Sequence, residues 1–168
     1  MTFAEAAAGQ ELPEDREILT WDDFGEAARE LAREVVASGF EPDVVIAVAR
    51  GGLLPAGALS YALGLKACDA LNVEFYTGVD ARLAEPQVLP PFLDTDALVG
   101  RQVLVVDDVA DTGETLALVQ KIVAQHCEEA RTVVLYSKPH SIVSPDFVWR
   151  RTAKWITFPW SALPPVTA

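Results

Sequence analysis

The residues best able to do chemistry fall in one short run. Val103 to Val106 are apolar, Asp107 and Asp108 are adjacent acids, and Asp111, Thr112, Gly113, Glu114 and Thr115 follow before Leu116. A strand ending in two carboxylates, then a turn with hydroxyls and a glycine leading into a helix, builds an anion nest. Backbone N–H groups at the helix start, with hydroxyls beside them, hold a phosphate without a lysine. The paired carboxylates suit ribose hydroxyls or a Mg²⁺ ion shared with substrate oxygens, and Asp111 stands where it can face a reacting group. Each half alone has a plain explanation, since acids end strands and Asp or Thr caps helices. Their occurrence in one string favours the functional reading.

Other candidate groups are scattered. Arg50, Gly51 and Gly52 follow an apolar run, and by themselves read as an ordinary strand-to-helix turn. Taken singly, Lys138 reads as a solvated lysine, and Trp155 and Trp160 as core aromatics, with Trp160 the more structural of the two. His126 and His140 are isolated and read as surface or helix-end groups. Cys68 and Cys127 lie far apart with no Cys-x-x-Cys, so neither a disulfide framework nor a zinc site is indicated; they read as small apolar residues in a reducing, cytoplasmic setting.

These groups need elements to position them. Thr20 to Asp23 has a capping pattern, and Phe24, Ala27, Ala28, Leu31 and Val35 recur at helical spacing as far as Gly39. Val44 to Ala49 reads as a strand buried on both faces, and Leu53 to Leu63 as a helix with Pro55 in its first turn and Gly64 at its end. A second strand is expected near Ala70 to Tyr76, a third at Val103 to Val106, a helix from Thr115 to about His126, and a fourth strand at Thr132 to Tyr136. Thr77 to Arg101, with Pro86, Pro90 and Pro91 and no period, reads as a long loop. Apolar strands alternating with helices predict an α/β fold with a parallel sheet and ligands beyond the strands' carboxyl ends.

Composition sets the outer bounds. At 168 residues, 51% hydrophobic and 23% charged, the chain reads as one globular domain spanning residues 18–164, with a loosely ordered acidic leader at 1–17 and a short tail at 165–168. The leader lacks the basic and apolar regions of a signal peptide, and no stretch approaches transmembrane length. A net charge of −12 argues against nucleic acid and anionic membranes as partners. The acidity is uneven: residues 1–43 hold 12 acidic and 3 basic side chains. Most of the excess therefore lies upstream of every candidate site, and the four acids within the Asp107–Thr115 run predict an anionic ligand that arrives with a cation.

The Val103–Thr115 string resembles the phosphoribosyl pyrophosphate (PRPP) signature of type I phosphoribosyltransferases. Arg50, Gly51 and Gly52 resemble that family's pyrophosphate loop, which often carries a cis non-proline peptide. Tyr136 to Pro139 and Lys154 to Trp160 resemble the base-recognition parts of its 6-oxopurine members, and from Trp21 to Trp160 the chain is most similar to short bacterial xanthine-guanine and archaeal hypoxanthine enzymes. The resemblance implies a mainly parallel sheet flanked by helices, with a hood over the active site from about 138–164. It implies purine salvage by a homodimer or homotetramer: transfer of 5-phosphoribosyl from PRPP, with Mg²⁺, to N9 of hypoxanthine, guanine or xanthine.

Residue by residue, the resemblance assigns Asp107 and Asp108 to the ribose and to Mg²⁺, directly or through water and PRPP. It assigns Asp111 to Thr115 to the 5′-phosphate, with Asp111 also assisting proton movement at purine N7, and Arg50 and Gly51 to pyrophosphate. Lys138 would donate to O6, Trp155 would stack on the base and the Ile156 backbone would meet its edge. Phe75-Tyr76 stands where many members have Ser-Tyr, which makes Tyr76 the loop candidate and Phe75 a departure. A receiver domain also ends a strand in two acids, but needs about a hundred residues beyond it, more than follow Asp108. A PRPP-sensing regulator on the same fold, or a transferase for another base, are the remaining alternatives; no basic patch for DNA is visible.

Overall fold

In a computed structural model of the chain, residues 15–75, 86–89 and 93–166 are described. The strands are β1 (Arg16–Ile18), β2 (Val44–Ala49), β3 (Cys68–Phe75), β4 (Pro86–Leu89), β5 (Gln102–Ala110), β6 (Glu129–Ser137), β7 (Phe147–Arg151) and β8 (Trp155–Thr157). The helices are α1 (Trp21–Ala37), α2 (Leu53–Leu63) and α3 (Glu114–Ala124). Six strands form one sheet in the order β4-β3-β2-β5-β6-β7, parallel except for the β3–β4 pair, while β1 and β8 form a separate parallel pair.

Strand alternation distributes the core over two faces. Val45, Ala47, Leu104, Val106, Val133 and Leu135 pack with the buried stripe of α1 and with α2. Their neighbours Ile46, Val48, Val103, Val105 and Val134 pack on the other face with Leu116, Val119 and Val123 of α3. Each fully buried Val or Leu contributes roughly 1.5–3 kcal/mol, so this double burial fixes the register of β2 and β5. The α1 start is the predicted one: the Asp23 N–H donates to Thr20 Oγ1 at 3.1 Å, and the Thr20 hydroxyl donates back to Asp23 at 2.6 Å. Gly64 ends α2 with φ +72°, a left-handed conformation suited to glycine.

The structure corrects three expectations. The segment 77–101 is not wholly loop, because β4 pairs antiparallel with β3, Val88 opposite Val73, and Asp96–Leu98 is a 3₁₀ turn. Pro86 opens an edge strand, where the missing N–H costs no central ladder bond. The leader ends earlier than residue 17, since Arg16 and Glu17 lie in β1, opposite Trp155 and Ile156 of β8. The third strand reaches Ala110, so both acids lie inside β5 rather than after it.

Beyond β6, the chain turns back over the α1 face. Phe158 and Trp160 stack at 4.9 Å with planes 15° apart, Phe24 meets Trp160 edge-on at 5.3 Å, and Tyr136 meets Phe158 at 5.9 Å. Such pairs add about 0.5–1.5 kcal/mol each beyond area burial, and here they anchor the last strand to the first helix. Among the described residues, no helix is long and apolar enough to cross a membrane.

Candidate active site

Four places in the chain meet at the carboxyl ends of the parallel strands: the turn after β2, the end of β5 with its turn into α3, the segment after β6, and β8. The β5–α3 turn lines a cavity of about 220 Å³ with Asp107, Asp111, Thr112, Gly113 and Thr115, closed on the sheet side by Val48 and Ala49. A larger open groove of about 720 Å³ runs along α1 between Trp21 and Arg33. It is a solvent-facing helix surface, and none of the proposed site residues lines it.

Gly113 shapes the β5–α3 turn. Its φ is +84°, and a Cβ there would run into Ser141 and Val143, so both conformation and space require glycine. Gly113 is the N-cap of α3 and has no side chain to bond the helix's first N–H groups. Only the Glu114 N–H finds a local acceptor, Thr112 Oγ1 at a long 3.4 Å. The open amides and the exposed Thr112 give the helix start the chemistry to receive an anion.

The acid pair is held differently. Asp107 is buried, and its Oδ1 accepts the Asp108 N–H at 2.8 Å. Burial pushes the Asp107 carboxyl well above the usual carboxylate range, and the neighbouring Asp108 charge adds to it. Asp108 is also pushed up by burial, an effect partly opposed by nearby polar groups: backbone N–H groups, the Asp107 carboxyl and the Trp160 indole. A buried carboxylate and a half-buried one side by side have the chemistry of a hard-metal donor pair. Among the described residues, no group of three or more acidic, His or Cys side chains could hold a metal. Asp107 and Asp108 are the residues that could hold a Mg²⁺ ion together with ligand oxygens.

Asp108 also meets the turn after β2. A Cβ on Gly51 would overlap the Asp108 carboxylate, and one on Gly52 would overlap the carbonyls of Val106 and Val48. The two glycines therefore let the turn lie directly on the acid pair. The Ala49–Arg50 peptide is cis, and the Arg50 residue is exposed.

The segment after β6 is tied to the phosphate turn through its backbone. The Lys138 N–H donates to the Ala110 carbonyl at 3.0 Å, and the Ile142 N–H to the Thr112 carbonyl at 2.8 Å. Lys138 is buried, and its ammonium donates to the Lys154 carbonyl. One of three donors is so used, which leaves two for a ligand. That contact sets Lys138 beside β8, where Trp155 is 64% exposed and Ile156 is buried. A large indole left uncovered beside a buried lysine offers a stacking face with a donor at its edge.

The structure thus brings Asp107, Asp108, Asp111 to Thr115, Arg50 and Gly51 together, and places Lys138, Trp155 and Ile156 in a second group joined to the first by the 138–142 backbone. Tyr76 lies outside the described residues. Two residues set aside on sequence grounds have site contacts: Trp160 through Asp108, and His140, whose Nε2 lies 3.0 Å from Asp111 Oδ1. The Trp160 contact had no local signal. For His140, its place two residues after Lys138 was the one available hint.

Comparison with known proteins gives a consistent result. The model of the phosphoribosyl transferase domain family matches residues 15–164. A xanthine-guanine phosphoribosyltransferase of Gluconobacter oxydans is 31% identical over 149 residues, covering 87% of this chain and 84% of that protein. One from Idiomarina loihiensis is 34% identical over 145 residues, covering 84% of each. Among solved structures, the purine phosphoribosyltransferase of Pyrococcus horikoshii superposes with a TM-score of 0.80 at 38% identity, covering 92% of this chain and 99% of the other.

Proposed function

Because the chain belongs to the phosphoribosyl transferase domain family, we propose roles in purine salvage for each part of the site. The protein is a purine phosphoribosyltransferase that transfers 5-phosphoribosyl from PRPP to N9 of a 6-oxopurine, releasing pyrophosphate. The observation that carries the residue assignment is the β5–α3 turn, where the buried Asp107 and an open helix start face one cavity, with the half-buried Asp108 next in sequence.

In this reading, the 112–115 amides and hydroxyls hold the 5′-phosphate, and Asp107 and Asp108 hold the ribose. Asp107 and Asp108 would also hold Mg²⁺, directly or through water and PRPP, and the ion would supply positive charge to offset the acid pair and the departing pyrophosphate. Arg50 and the Gly51 amide hold the same leaving group from the other side. As the C1′–pyrophosphate bond breaks, positive charge builds on the ribose, and the site stabilises that state better than the ground state. Trp155 stacks on the base, Lys138 donates to O6, and Asp111 accepts the N7 proton as the N9 lone pair attacks C1′. A lysine donor selects a 6-oxo group over adenine's amino group, which is itself a donor.

Tyr76 remains the candidate for closing the loop over the reactants. We also assign the protein to the cytoplasm as a homodimer or homotetramer. Supporting assembly, α2 carries no charged residue and exposes Leu53, Leu54 and Tyr61.

The test is nucleotide formation from PRPP with hypoxanthine, guanine, xanthine and adenine in parallel. A 6-oxopurine is expected to be the best substrate, and adenine in that place would remove Lys138 from base recognition. PRPP binding with no product from any base would return the sensing-regulator reading.

A further inference from the structure

The Asp111 carboxylate projects from the first residue past β5 and is 57% exposed. An exposed carboxylate on a turn samples several rotamers, whereas proton transfer needs one fixed geometry within hydrogen-bond reach. In this chain it does not stand free. His140, 63% exposed, sets its Nε2 3.0 Å from Asp111 Oδ1. With the carboxylate as acceptor, Nε2 carries the proton and donates.

The contact is not needed to hold its loop. Backbone bonds from Lys138 to Ala110, from Ser141 to Lys138 and from Ile142 to Thr112 already fix the 138–142 segment against the phosphate turn. Nor does it add much to the fold, since pairs this exposed contribute little to stability. What it does determine is the direction of one carboxylate. An imidazole on Oδ1 leaves Oδ2 free, and a substrate that covers the pair would strengthen the bond by excluding water.

We propose that His140 is a positioning residue for the transfer reaction: it holds Oδ1 of Asp111 so that Oδ2 meets the imidazole edge of the purine. The proposal rests on the reading of Asp111 as the group serving the base. It makes the segment after Lys138 bifunctional, with the lysine reading the six-membered ring and the histidine, two residues on, aiming the acid that reads the five-membered ring.

A double-mutant cycle tests it. His140→Ala is expected to lower kcat by about tenfold, within the range of coupled neighbours, and to leave the KM for PRPP unchanged. His140→Gln, which keeps a neutral N–H donor, should recover most of that loss. In an Asp111→Asn background, His140→Ala should change kcat by less than about twofold, because the group it aims is no longer an acid. A His140→Ala enzyme with wild-type kcat, or effects of the two substitutions that multiply, would overturn the proposal while Asp111→Asn alone still shows a large loss. If Asp111→Asn alone turns over like wild type, the underlying reading of Asp111 fails, and the role of His140 fails with it.

Discussion

The halves of the site that we assign to phosphate and to base are built in opposite ways. Asp107 through Thr115 are consecutive, so one strand-to-helix turn delivers buried acids and open amides together. The base half is gathered from the end of β6 and from β8, and it exists only because the last strand is pinned against β1 and the Phe158–Trp160 stack against α1. One half is dictated by local sequence and carries unbalanced buried charge. The other is set by tertiary packing and leaves an apolar face open to water. On that assignment, a polyanion would meet prearranged dipoles, and a flat base an exposed surface that needs little reorganisation.

This contrast can be broken at several points. The largest effect is expected at Asp111→Asn, which should lower kcat by about 10²–10⁴-fold, the range of general acid–base catalysis, with PRPP affinity nearly unchanged in a titration. Lys138→Met should come next, cutting kcat/KM for a 6-oxopurine by about 10–100-fold through loss of a charged donor and narrowing the margin over adenine in parallel assays. Trp155→Ala should raise the KM for the base by about tenfold, in line with base stacking worth about 1–3 kcal/mol. Because the indole is exposed, the melting temperature should hardly move. If Trp155→Ala instead unfolds the protein, the base half is a packing element and the contrast fails.

The smallest effect sharpens the other side. The Asp107 carboxyl is raised in the folded chain, so its stabilising contribution is fully present below the ordinary carboxylate pKa and is lost as pH rises through the elevated folded value. Without metal and PRPP, stability should therefore decline as pH rises above the ordinary carboxylate pKa toward the elevated folded value. Asp107→Asn should flatten that decline and raise the melting temperature by a few degrees, about 1 kcal/mol for a domain of this size, while weakening Mg²⁺-dependent PRPP binding. A variant less stable at every pH would show that the acid pair supports the fold instead of straining it.

The two halves also differ in how readable they were. The phosphate half was legible as a string because its residues are neighbours, and β2, α1 and α2 were legible through uninterrupted apolar runs or a clean helical period. β1 was not: Arg16, Glu17 and Ile18 show no pattern in three residues, and their partner lies at the other end of the chain. β4 was hidden behind prolines that an edge strand tolerates. Lys138 and Trp155 could be found only through resemblance, since a lone lysine and a lone tryptophan are commonplace. His140 was passed over because its partner, Asp111, comes from a different turn.

The pairing of β1 with β8 also sets a schedule. During synthesis the β5–α3 turn can assemble once the 138–143 segment has left the ribosome, since Gly113 packs on Ser141 and Val143 and the Thr112 carbonyl accepts from the Ile142 N–H. The stacking face must wait, because Arg16 has no strand to join until Trp155 emerges. The stacking face is thus the last part of the molecule to form, and it closes the fold by joining the two ends of the described chain.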